Sequence, residues 1–268
     1  MALTIDYAGS TALVTGVSSG IGLGVARSLA ESGCNVFGCG RRARDSSGAQ
    51  TFLDTVTAFD VEAEYRSIDI AEAEAPRKLV EAAVSRFGGL DIVVSNAGRN
   101  VFEGVDGCDL SAWNACMDLD LRSHWLLAQA SKEALRESSR RQKRKAVYIV
   151  MTSNHAYATI PGCFPYNVAK NALTALVQSL AVEWGPEIRA VGIAPGFIDT
   201  DGNQTWFDSF PDPAAERERT EQRHPVGRIG TVDEIGGLCA FLYSEYAQFI
   251  SGTTLLVDGG RSALMQDE

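Results

Sequence analysis

Three side chains near the middle of the sequence, a serine, a tyrosine and a lysine, could together move a proton. Ser153 ends an apolar run, and Tyr166 and Lys170 follow it after a loop. If their segment is helical, Tyr166 and Lys170 share one face, because residues four apart are neighbours on a helix. An ammonium favours a nearby phenolate, so we expect Lys170 to lower the pKa of Tyr166 from its free value of about 10. Such a tyrosine could give or take a proton in carbonyl or alcohol chemistry, with Ser153 bonded to the same substrate oxygen.

A Tyr-x-x-x-Lys pair alone also fits a surface helix contact, so its interpretation depends on a cofactor site elsewhere in the chain. Residues 11–15 and 35–39 are strand-like, and between them a glycine-rich turn precedes a helical pattern over residues 23–31. This order predicts a βαβ unit whose turn approaches a pyrophosphate at a helix N-terminus. The spacing is G-x-x-x-G-x-G, and a plain tight turn is the alternative. The predicted cofactor contacts are Gly16, Ser18, Ser19, Gly20, Ile21 and Gly22.

The residues after the second strand bear on the choice of cofactor. A dinucleotide fold usually has an acid here, which holds the ribose 2′-hydroxyl of NAD. This chain has Arg41 and Arg42 instead, and no acid occurs before Asp45. Arginines suit a 2′-phosphate through charge-assisted, often bidentate contacts. We therefore predict NADP in preference to NAD, with the alternative that these arginines only cap a solvated loop.

The rest of the chain continues the alternation of strands and helices, which predicts an α/β fold with a parallel sheet. Asp69 and Ile70 end a predicted strand, where they would touch an adenine edge. Asn96, Ala97 and Gly98 follow the next strand and would let backbone pass close to a ribose, although Asn96 also fits an Asx turn. Further predicted strands cover residues 63–70, 90–95, 146–152, 188–194 and 253–257, and further helices cover 46–58, 71–87, 110–137, 164–184 and 232–244.

One long segment near the predicted site departs from this alternation. Residues 197–226 are irregular and mixed in composition, with several aromatic residues and three prolines. A long segment of this kind beside a site predicts a substrate lid. The chain shows no internal repeat, low-complexity segment or linker, so we expect residues 1–268 to form a single domain that binds the dinucleotide and carries out the chemistry.

The composition argues against binding to nucleic acid or to an anionic membrane. The 268 residues are 45% apolar, enough for a sizeable core, and their net charge is −10. A basic run at residues 136–145 opposes that trend; we interpret it as a solvated loop, with a nucleic-acid patch as the alternative. The six cysteines lack the spacing of a zinc site. With no signal peptide and no apolar run of about 18 residues, we predict a reduced, cytoplasmic setting without metal or membrane.

Taken together, these residues resemble the short-chain dehydrogenase/reductase family over nearly the whole chain. The matching features, in chain order, are Thr15-Gly16-Val-Ser-Ser-Gly20-Ile-Gly22, Asp69, Asn96-Ala-Gly98, Ser153 thirteen residues before Tyr166, Tyr166-x-x-x-Lys170, Pro195-Gly196 with Thr200, and Asp258-Gly-Gly260. The resemblance implies a Rossmann-type, doubly wound parallel sheet of about seven strands flanked by helices. It also implies a bound nicotinamide cofactor and usually a homotetramer.

The resemblance assigns a role to each residue of the central group. Tyr166 would be the general acid and base, Lys170 would lower its pKa and bond the nicotinamide ribose, and Ser153 would orient the substrate oxygen. The other residues implied to contact the cofactor at its nicotinamide end are Pro195, Gly196, Ile198 and Thr200, the last two at the carboxamide.

One position departs from the family pattern. Family members often carry an asparagine in the long helix, seven residues after a tryptophan, and that asparagine is thought to support a water chain from the lysine. Here Asp120 stands seven residues after Trp113. We predict that Asp120 holds the same water and adds a negative charge near Lys170. The alternative is that it only bonds local backbone.

These expectations define an oxidoreductase that interconverts a secondary alcohol and a carbonyl by hydride transfer. Asn154 and His155, just after Ser153, could bond substrate hydroxyls, and Trp206 could stack on a sugar face. We therefore expect a sugar or polyol dehydrogenase. The alternatives are a reductase of an apolar ketone, a steroid-like ring or a 3-oxoacyl substrate; an isomerase or dehydratase that retains its nicotinamide; and a non-catalytic protein that senses dinucleotides.

Overall fold

A seven-stranded parallel sheet runs through the centre of the computed structural model, which describes residues 5–142 and 144–265. The strands are β1 (Thr11–Thr15), β2 (Asn35–Gly40), β3 (Ala63–Ser67), β4 (Ile92–Ser95), β5 (Ala146–Met151), β6 (Ile188–Pro195), β7 (Ile198–Asp199), β8 (Gly230–Thr231) and β9 (Thr254–Val257). The sheet order is β3-β2-β1-β4-β5-β6-β9, while β7 and β8 pair separately. The order reverses between β1 and β4, and ligands bind at such a point, outside the carboxyl ends of the strands.

Helices cover both faces of the sheet, which confirms the predicted doubly wound fold. The helices are α1 (Gly20–Glu31), α2 (Ser47–Thr57), α3 (Ala75–Phe87), α4 (Leu110–Met117), α5 (Ser123–Arg141), α6 (Tyr166–Trp184), α7 (Asp201–Phe207), α8 (Pro213–Gln222) and α9 (Val232–Tyr243). Helices α1, α2 and α9 pack on one face, and α3, α5 and α6 pack on the other.

The central strands contribute to both apolar layers at once. Ala12, Val14 and Ile92 point into the layer beneath α1, whereas Leu13 and Val93 point into the layer beneath α3. Every residue of β1 and β4 is therefore buried. Strands covered on both faces have continuous apolar runs rather than alternating ones, and this is why these strands could be recognised in the sequence.

The segment 197–226 is more regular than predicted, because it contains α7 and α8. Thr200 caps α7 and Asp212 caps α8, each accepting a backbone N–H, at 3.2 and 3.0 Å. Helix α8 is mostly polar, so it lacks the apolar spacing from which helices are predicted. The sequence feature that indicates this helix is Asp212-Pro213 at its beginning, since aspartate is a favoured N-cap and proline a favoured first helical residue. The prediction of an irregular segment was wrong for these two stretches.

Two further boundaries differ from the prediction. The predicted helix over residues 110–137 is interrupted by a π-helical turn at Asp118–Arg122, after which α5 continues to Arg141. The first part of the basic run is therefore helical rather than a loop, and Arg136 and Arg140 form ion pairs with Glu187. Strand β3 ends at Ser67, three residues earlier than predicted, so Asp69 and Ile70 lie in the loop that follows it. Lys143 lies outside the described residues.

Candidate active site

The serine, tyrosine and lysine come together at the carboxyl end of β5. Ser153 lies just beyond Met151, the last residue of β5, and α6 begins at Tyr166. All three side chains are buried: Ser153, Tyr166 and Lys170 are 7%, 8% and 3% exposed. The Lys170 Nζ atom lies 5.4 Å from the centre of the Tyr166 ring. It also donates to the Met151 carbonyl oxygen at 3.4 Å, which ties the lysine of α6 to the end of the strand.

The protonation of Tyr166 is set by opposing effects. Burial raises the pKa of its phenol, the Lys170 ammonium lowers it, the Asp120 carboxylate raises it, and the Ser153 hydroxyl lowers it. Lys170 thus acts in the direction predicted from the sequence. Burial nevertheless outweighs the lysine, because it disfavours the charged phenolate. The net shift is upward, opposite to the prediction, and Tyr166 is a neutral phenol at neutral pH.

Asp120 is the negative partner of Lys170. Its side chain is fully buried, and its Oδ1 atom lies 3.3 Å from Lys170 Nζ. The same oxygen accepts the Arg99 backbone N–H at 3.1 Å, while Oδ2 has no hydrogen-bond partner within the described residues. Burial disfavours the charge on Lys170, but Asp120 and Tyr166 outweigh it and raise the lysine pKa. Lys170 therefore stays a cation beneath Tyr166.

The π-helical turn explains how Asp120 faces inward. A π turn adds one residue to an α-helix, so it changes which side chains face the core, and such turns are frequent at functional sites. Asp120 is fully buried, whereas the side chain of Asp118, two residues earlier, is 38% exposed and pairs with Arg122 at 2.6 Å. The same stretch thus presents one aspartate to Lys170 and the other to solvent. The sequence showed the aspartate but not the turn that buries it.

A cleft of about 420 Å³ lies at the carboxyl ends of β1, β2 and β4. Gly16 and Gly20 have φ angles of +75° and +58°, a region that favours glycine. A Cβ atom on Gly22 would lie 2.1 Å from the Gly16 carbonyl oxygen. Ser19, the N-cap of α1, makes no side-chain capping bond, so the first N–H groups of α1 remain available to an anion. The cleft is lined by Gly16, Ser18, Ser19, Cys39, Gly40, Arg41, Arg42, Ile68, Asp69, Ile70, Ala97, Gly98 and Leu119.

These features fit a dinucleotide whose pyrophosphate lies at the glycine turn. Arg41 and Arg42 stand at the rim of the cleft, and neither forms an ion pair within the described residues. Arg44, by contrast, is bound to Glu64 and donates to the Tyr65 carbonyl at 2.7 Å. Two of the three arginines after β2 are therefore free to bind an anionic group, whereas the third, Arg44, is bonded to residues of β3.

Asn96 joins two of the strands beside the cleft. Its Nδ2 atom donates to the Thr15 carbonyl at 2.8 Å, and the Thr15 hydroxyl oxygen accepts the backbone N–H groups of Asn96 and Ala97, both at 2.9 Å. The side chain thus bonds the end of β1 rather than forming a local Asx turn. It also keeps Ala97 against the glycine turn, since a Cβ on Gly16 would lie 3.1 Å from the Ala97 Cα atom, while a Cβ on Gly98 would lie 2.6 Å from Asp120 Oδ1.

The segment after β6 borders the same cleft. Pro195 ends β6, and the Gly196 N–H donates to the Val257 carbonyl at 2.9 Å. Ile198 is buried. A Cβ on Gly20 would lie 3.4 Å from the Thr200 methyl group, so Thr200 is next to the glycine turn. Of the predicted nicotinamide-end residues, Pro195 and Gly196 thus precede the segment 197–226, and Thr200 within that segment contacts the glycine turn.

The three predicted substrate contacts lie in two different places. The Asn154 Oδ1 atom is 3.4 Å from Ser153 Oγ, and the His155 ring lies edge-on to Tyr166 with centres 6.2 Å apart. Trp206 packs instead among aromatic rings of the segment 197–226: Phe197, Phe207 and Phe210. Asn154 is thus beside Ser153 and His155 beside Tyr166, whereas Trp206 lies in an aromatic cluster within residues 197–226.

Phe102 was not predicted, yet it forms one side of the site. Its ring lies edge-on to Tyr166 at 5.5 Å and to His155 at 5.9 Å, and it is 45% exposed. Its backbone pairs with Pro165, immediately before Tyr166. Neighbouring residues in the sequence carry no signal of this contact, because the pairing joins segments that are far apart in the chain.

A family model described as enoyl-(acyl carrier protein) reductase matches residues 16–262. The chain belongs to the short-chain dehydrogenase/reductase family, as the sequence resemblance predicted. It is an NAD(P)-dependent oxidoreductase that acts on an alcohol or carbonyl group of a small molecule.

Individual relatives are similar over almost their whole length. The chain is 33% identical to an L-rhamnose 1-dehydrogenase (NAD(P)(+)) of Azotobacter vinelandii, covering 93% of this chain and 95% of that protein. It is 31% identical to 3beta-hydroxysteroid dehydrogenase 1 of Eggerthella lenta, covering 95% and 94%. A crystal structure of a short-chain alcohol dehydrogenase from Sinorhizobium meliloti superposes with a TM-score of 0.88 at 29% identity, covering 98% of this chain and 100% of that chain.

Across the described residues, no helix is long and apolar enough to cross a bilayer.

Proposed function

We propose that this enzyme interconverts a secondary alcohol and a ketone of a sugar or polyol, with NADP favoured over NAD. The observation that carries the proposal is the buried Ser153, Tyr166 and Lys170 group, whose lysine lies next to the glycine-lined cleft: a Cβ on Gly98 would lie 3.1 Å from Lys170 Nζ. Polar side chains of Asn154 and His155 continue from this group and suit hydroxyl groups. The similarity to an L-rhamnose 1-dehydrogenase supports the same substrate class.

In this mechanism the bound nicotinamide accepts or supplies the hydride, and the chain handles the proton. Ser153 holds the substrate oxygen, and Tyr166 gives its phenolic proton to that oxygen during reduction or takes it back during oxidation. Lys170 stabilises the phenolate that forms when the proton leaves. Asp120 acts through Lys170: it keeps the lysine charged and is therefore a positioning residue.

The cofactor contacts follow the same proposal. The glycine turn and the N-terminus of α1 would hold the pyrophosphate, and Arg41 and Arg42 would hold a 2′-phosphate. Asp69 and Ile70 would lie at the adenine, and Asn96 to Gly98 at the ribose. Pro195, Gly196, Ile198 and Thr200 would lie at the carboxamide end.

Two larger-scale features belong to the proposal. Residues 197–226 would close over the substrate as a lid of the same catalytic domain. The chain would assemble as a homotetramer, which is supported by exposed apolar side chains near the sheet edge: Val182, Phe249 and Leu256 are 84%, 103% and 43% exposed. Light scattering after size-exclusion chromatography tests the assembly, and a monomer would overturn it.

A reductase of an apolar ketone, a steroid-like ring or a 3-oxoacyl chain is the second candidate. The half-exposed Phe102 ring beside Tyr166 favours it, and one relative is named as a 3beta-hydroxysteroid dehydrogenase. A panel of sugars, polyols, ketones and steroids, assayed with both cofactors by the absorbance of reduced nicotinamide, separates the two. Turnover of steroids alone would overturn the sugar assignment.

Replacing Tyr166 with phenylalanine tests the proposed chemistry. The variant keeps the ring but lacks the proton, so we expect turnover to fall by about 100-fold to 10,000-fold while cofactor binding is retained. A protein that only sensed dinucleotides would be unaffected. An isomerase or dehydratase would convert substrate with no net change in nicotinamide absorbance.

A further inference from the structure

We propose that the substrate carries an oxyanion, a carboxylate or a phosphate, which binds between Arg261 and the loop after Ser153. The inference rests on the proposed function, because it concerns the same substrate at the same site. It narrows the substrate class from a neutral sugar or polyol to an acidic or phosphorylated one.

Arg261 lies beside the group that holds the substrate oxygen. It begins a short 3-10 turn that follows β9, and Ser262 is the next residue in that turn. The Asn154 Nδ2 atom donates to Ser262 Oγ at 3.5 Å, and the Ser153 hydroxyl donates to Asn154 Oδ1 at 3.4 Å. A line of three polar side chains therefore leads from the substrate oxygen to the residue next to Arg261.

Arg261 has no ion-pair partner within the described residues. Arg261 and Arg223 form no ion pair there, and the Arg261 Nη1 atom donates only to the Arg223 carbonyl oxygen, at 3.4 Å. Burial lowers the pKa of Arg261, and the nearby Arg223 lowers it further, while Asp258 opposes both. The two Asp258 oxygens are already bound to the backbone N–H groups of Gly260 and Ser262, at 3.1 and 2.7 Å. Arg261 is half-buried and Arg223 is exposed. Within the described residues the Arg261 guanidinium makes only the one hydrogen bond to the Arg223 carbonyl, so its other N–H groups can donate to a bound oxyanion.

His155 does not supply a second positive charge. Burial lowers the pKa of its imidazole, and the Arg261 guanidinium lowers it too, although the Ala158 backbone opposes this shift. The ring is therefore neutral at neutral pH, and it lies edge-on to Tyr166. Arg261 is the cation on this side of the reacting group, and its planar guanidinium suits the two oxygens of a carboxylate or phosphate.

The cofactor does not account for this charge. Its phosphates belong at the glycine turn and its 2′-phosphate at Arg41 and Arg42, and the residues that line that cleft do not include Arg261. Arg261 instead precedes Ser262, which accepts a hydrogen bond from Asn154, and it donates to the Arg223 carbonyl near the end of the proposed lid. An anion bound there would belong to the substrate.

Matched substrates that differ in charge test the proposal. Glucose is compared with glucuronate and glucose 6-phosphate, and methyl 3-hydroxybutyrate with 3-hydroxybutyrate, each with NADP and NAD. We expect kcat/KM for at least one anionic member to exceed its neutral partner by about tenfold, equivalent to about 1.4 kcal/mol. The carboxylate and phosphate arms show which oxyanion is recognised.

Arg261→Gln should remove most of this preference by raising KM for the anionic member, while kcat/KM for the neutral partner stays within about twofold. Arg77→Gln is the matched control, because Arg77 lies on α3 and is bound to Glu74 and Glu81; its preference should equal that of the wild type. The proposal is overturned if Arg261→Gln lowers kcat/KM equally for the anionic and the neutral member of a pair. It is also overturned if the wild type prefers the neutral member of every pair.

If none of these compounds is turned over, calorimetric titration decides. Glucuronate and glucose 6-phosphate are titrated into the NADP-loaded wild type and Arg261→Gln, with glucose as reference. If neither anion binds the wild type more tightly than glucose does, the proposal is overturned. If an anion binds more tightly and Arg261→Gln loses this difference in affinity, the proposal is supported. Failure of the proposed function would look different: Tyr166→Phe would retain its turnover. That result does not depend on whether the enzyme prefers charged or neutral substrates.

Discussion

At the glycine turn, the backbone end of the site, the walls are main chain, whereas around Ser153, its side-chain end, they are side chains from separate elements. Gly22 comes so close to Gly16 that a Cβ atom would lie 2.1 Å from a carbonyl oxygen. At the other end, Asp120 and Lys170 come from the π turn and from α6, and they meet as a buried ion pair at 3.3 Å. A substitution at the backbone end should therefore disrupt the site by steric clash, whereas a substitution at the side-chain end should disrupt it by changing the charge near Tyr166.

Gly22→Ala should give the largest effect, because the new methyl group must displace the backbone of Gly16. We expect a loss of stability of about 1–3 kcal/mol. A displacement of about 1 Å in the turn should weaken NADP binding by about 100-fold. Thermal unfolding and calorimetric titration with NADP measure the two effects.

Gly237→Ala is the control, since nothing lies within 4 Å of a Cβ at this exposed position of α9. It should stabilise the protein by up to about 1 kcal/mol, the difference in helix propensity, with unchanged NADP binding. If Gly22→Ala bound NADP as tightly as the wild type, the close contact between Gly22 and the Gly16 backbone would not be what shapes the cofactor site.

Replacing both Arg41 and Arg42 with alanine should give the next largest effect. A hydrogen bond to a charged group contributes about 1.5–3 kcal/mol, so the dissociation constant for NADP should rise about tenfold to 100-fold while that for NAD changes little. Arg44→Ala is the control, because Arg44 is engaged by Glu64 and should not alter the preference. Equal weakening for both cofactors would mean that the two arginines do not contact a 2′-phosphate.

Asp120→Asn tests the side-chain end through its pH profile. Burial raises the Tyr166 pKa and Asp120 raises it further, so alcohol oxidation should increase as pH rises through that pKa. Removing the negative charge lowers the Tyr166 pKa, provided that Lys170 keeps its proton. The rise should therefore move to lower pH, with the maximum rate within about tenfold of wild type.

The control for this measurement is Asp118→Asn, which removes the charge of a partly exposed aspartate two residues away that is paired with Arg122. Its pH profile should match that of the wild type. An unchanged profile in Asp120→Asn would remove Asp120 from the proton path and leave it only a structural role.

Trp206→Ala should have the smallest effect, because Trp206 packs within the lid and not against Tyr166. Loss of its aromatic contacts costs about 1 kcal/mol, so we expect KM to rise a few-fold with kcat nearly unchanged. Steady-state kinetics on a substrate found by the panel measures this. A large fall in kcat would place Trp206 next to the reacting atoms instead of in the lid.

The backbone end of the cleft could be predicted because its information is local. The apolar runs of β1 and β2, with the glycines between them, indicate the βαβ unit within a few dozen residues. The four-residue spacing of Tyr166 and Lys170 likewise predicts a shared helix face. The fold class followed from the same alternation of strands and helices.

The side-chain end could be predicted only in part. Asp120 and Lys170 are fifty residues apart in the sequence, and the π turn that aims Asp120 inward has no distinct apolar spacing. The helices of the lid were missed because α8 is polar on most sides. The contact of Phe102 with Tyr166 depends on pairing between distant segments.

By itself the sequence determined which residues could do the chemistry: the tyrosine, the lysine, the serine and the glycine turn are set by residue type and short spacing. Only the tertiary structure decided how acidic Tyr166 is and which charge faces Lys170. The physical reason is that burial and ion pairing depend on every group that surrounds a side chain, and those groups come from α6, the π turn and β5 together.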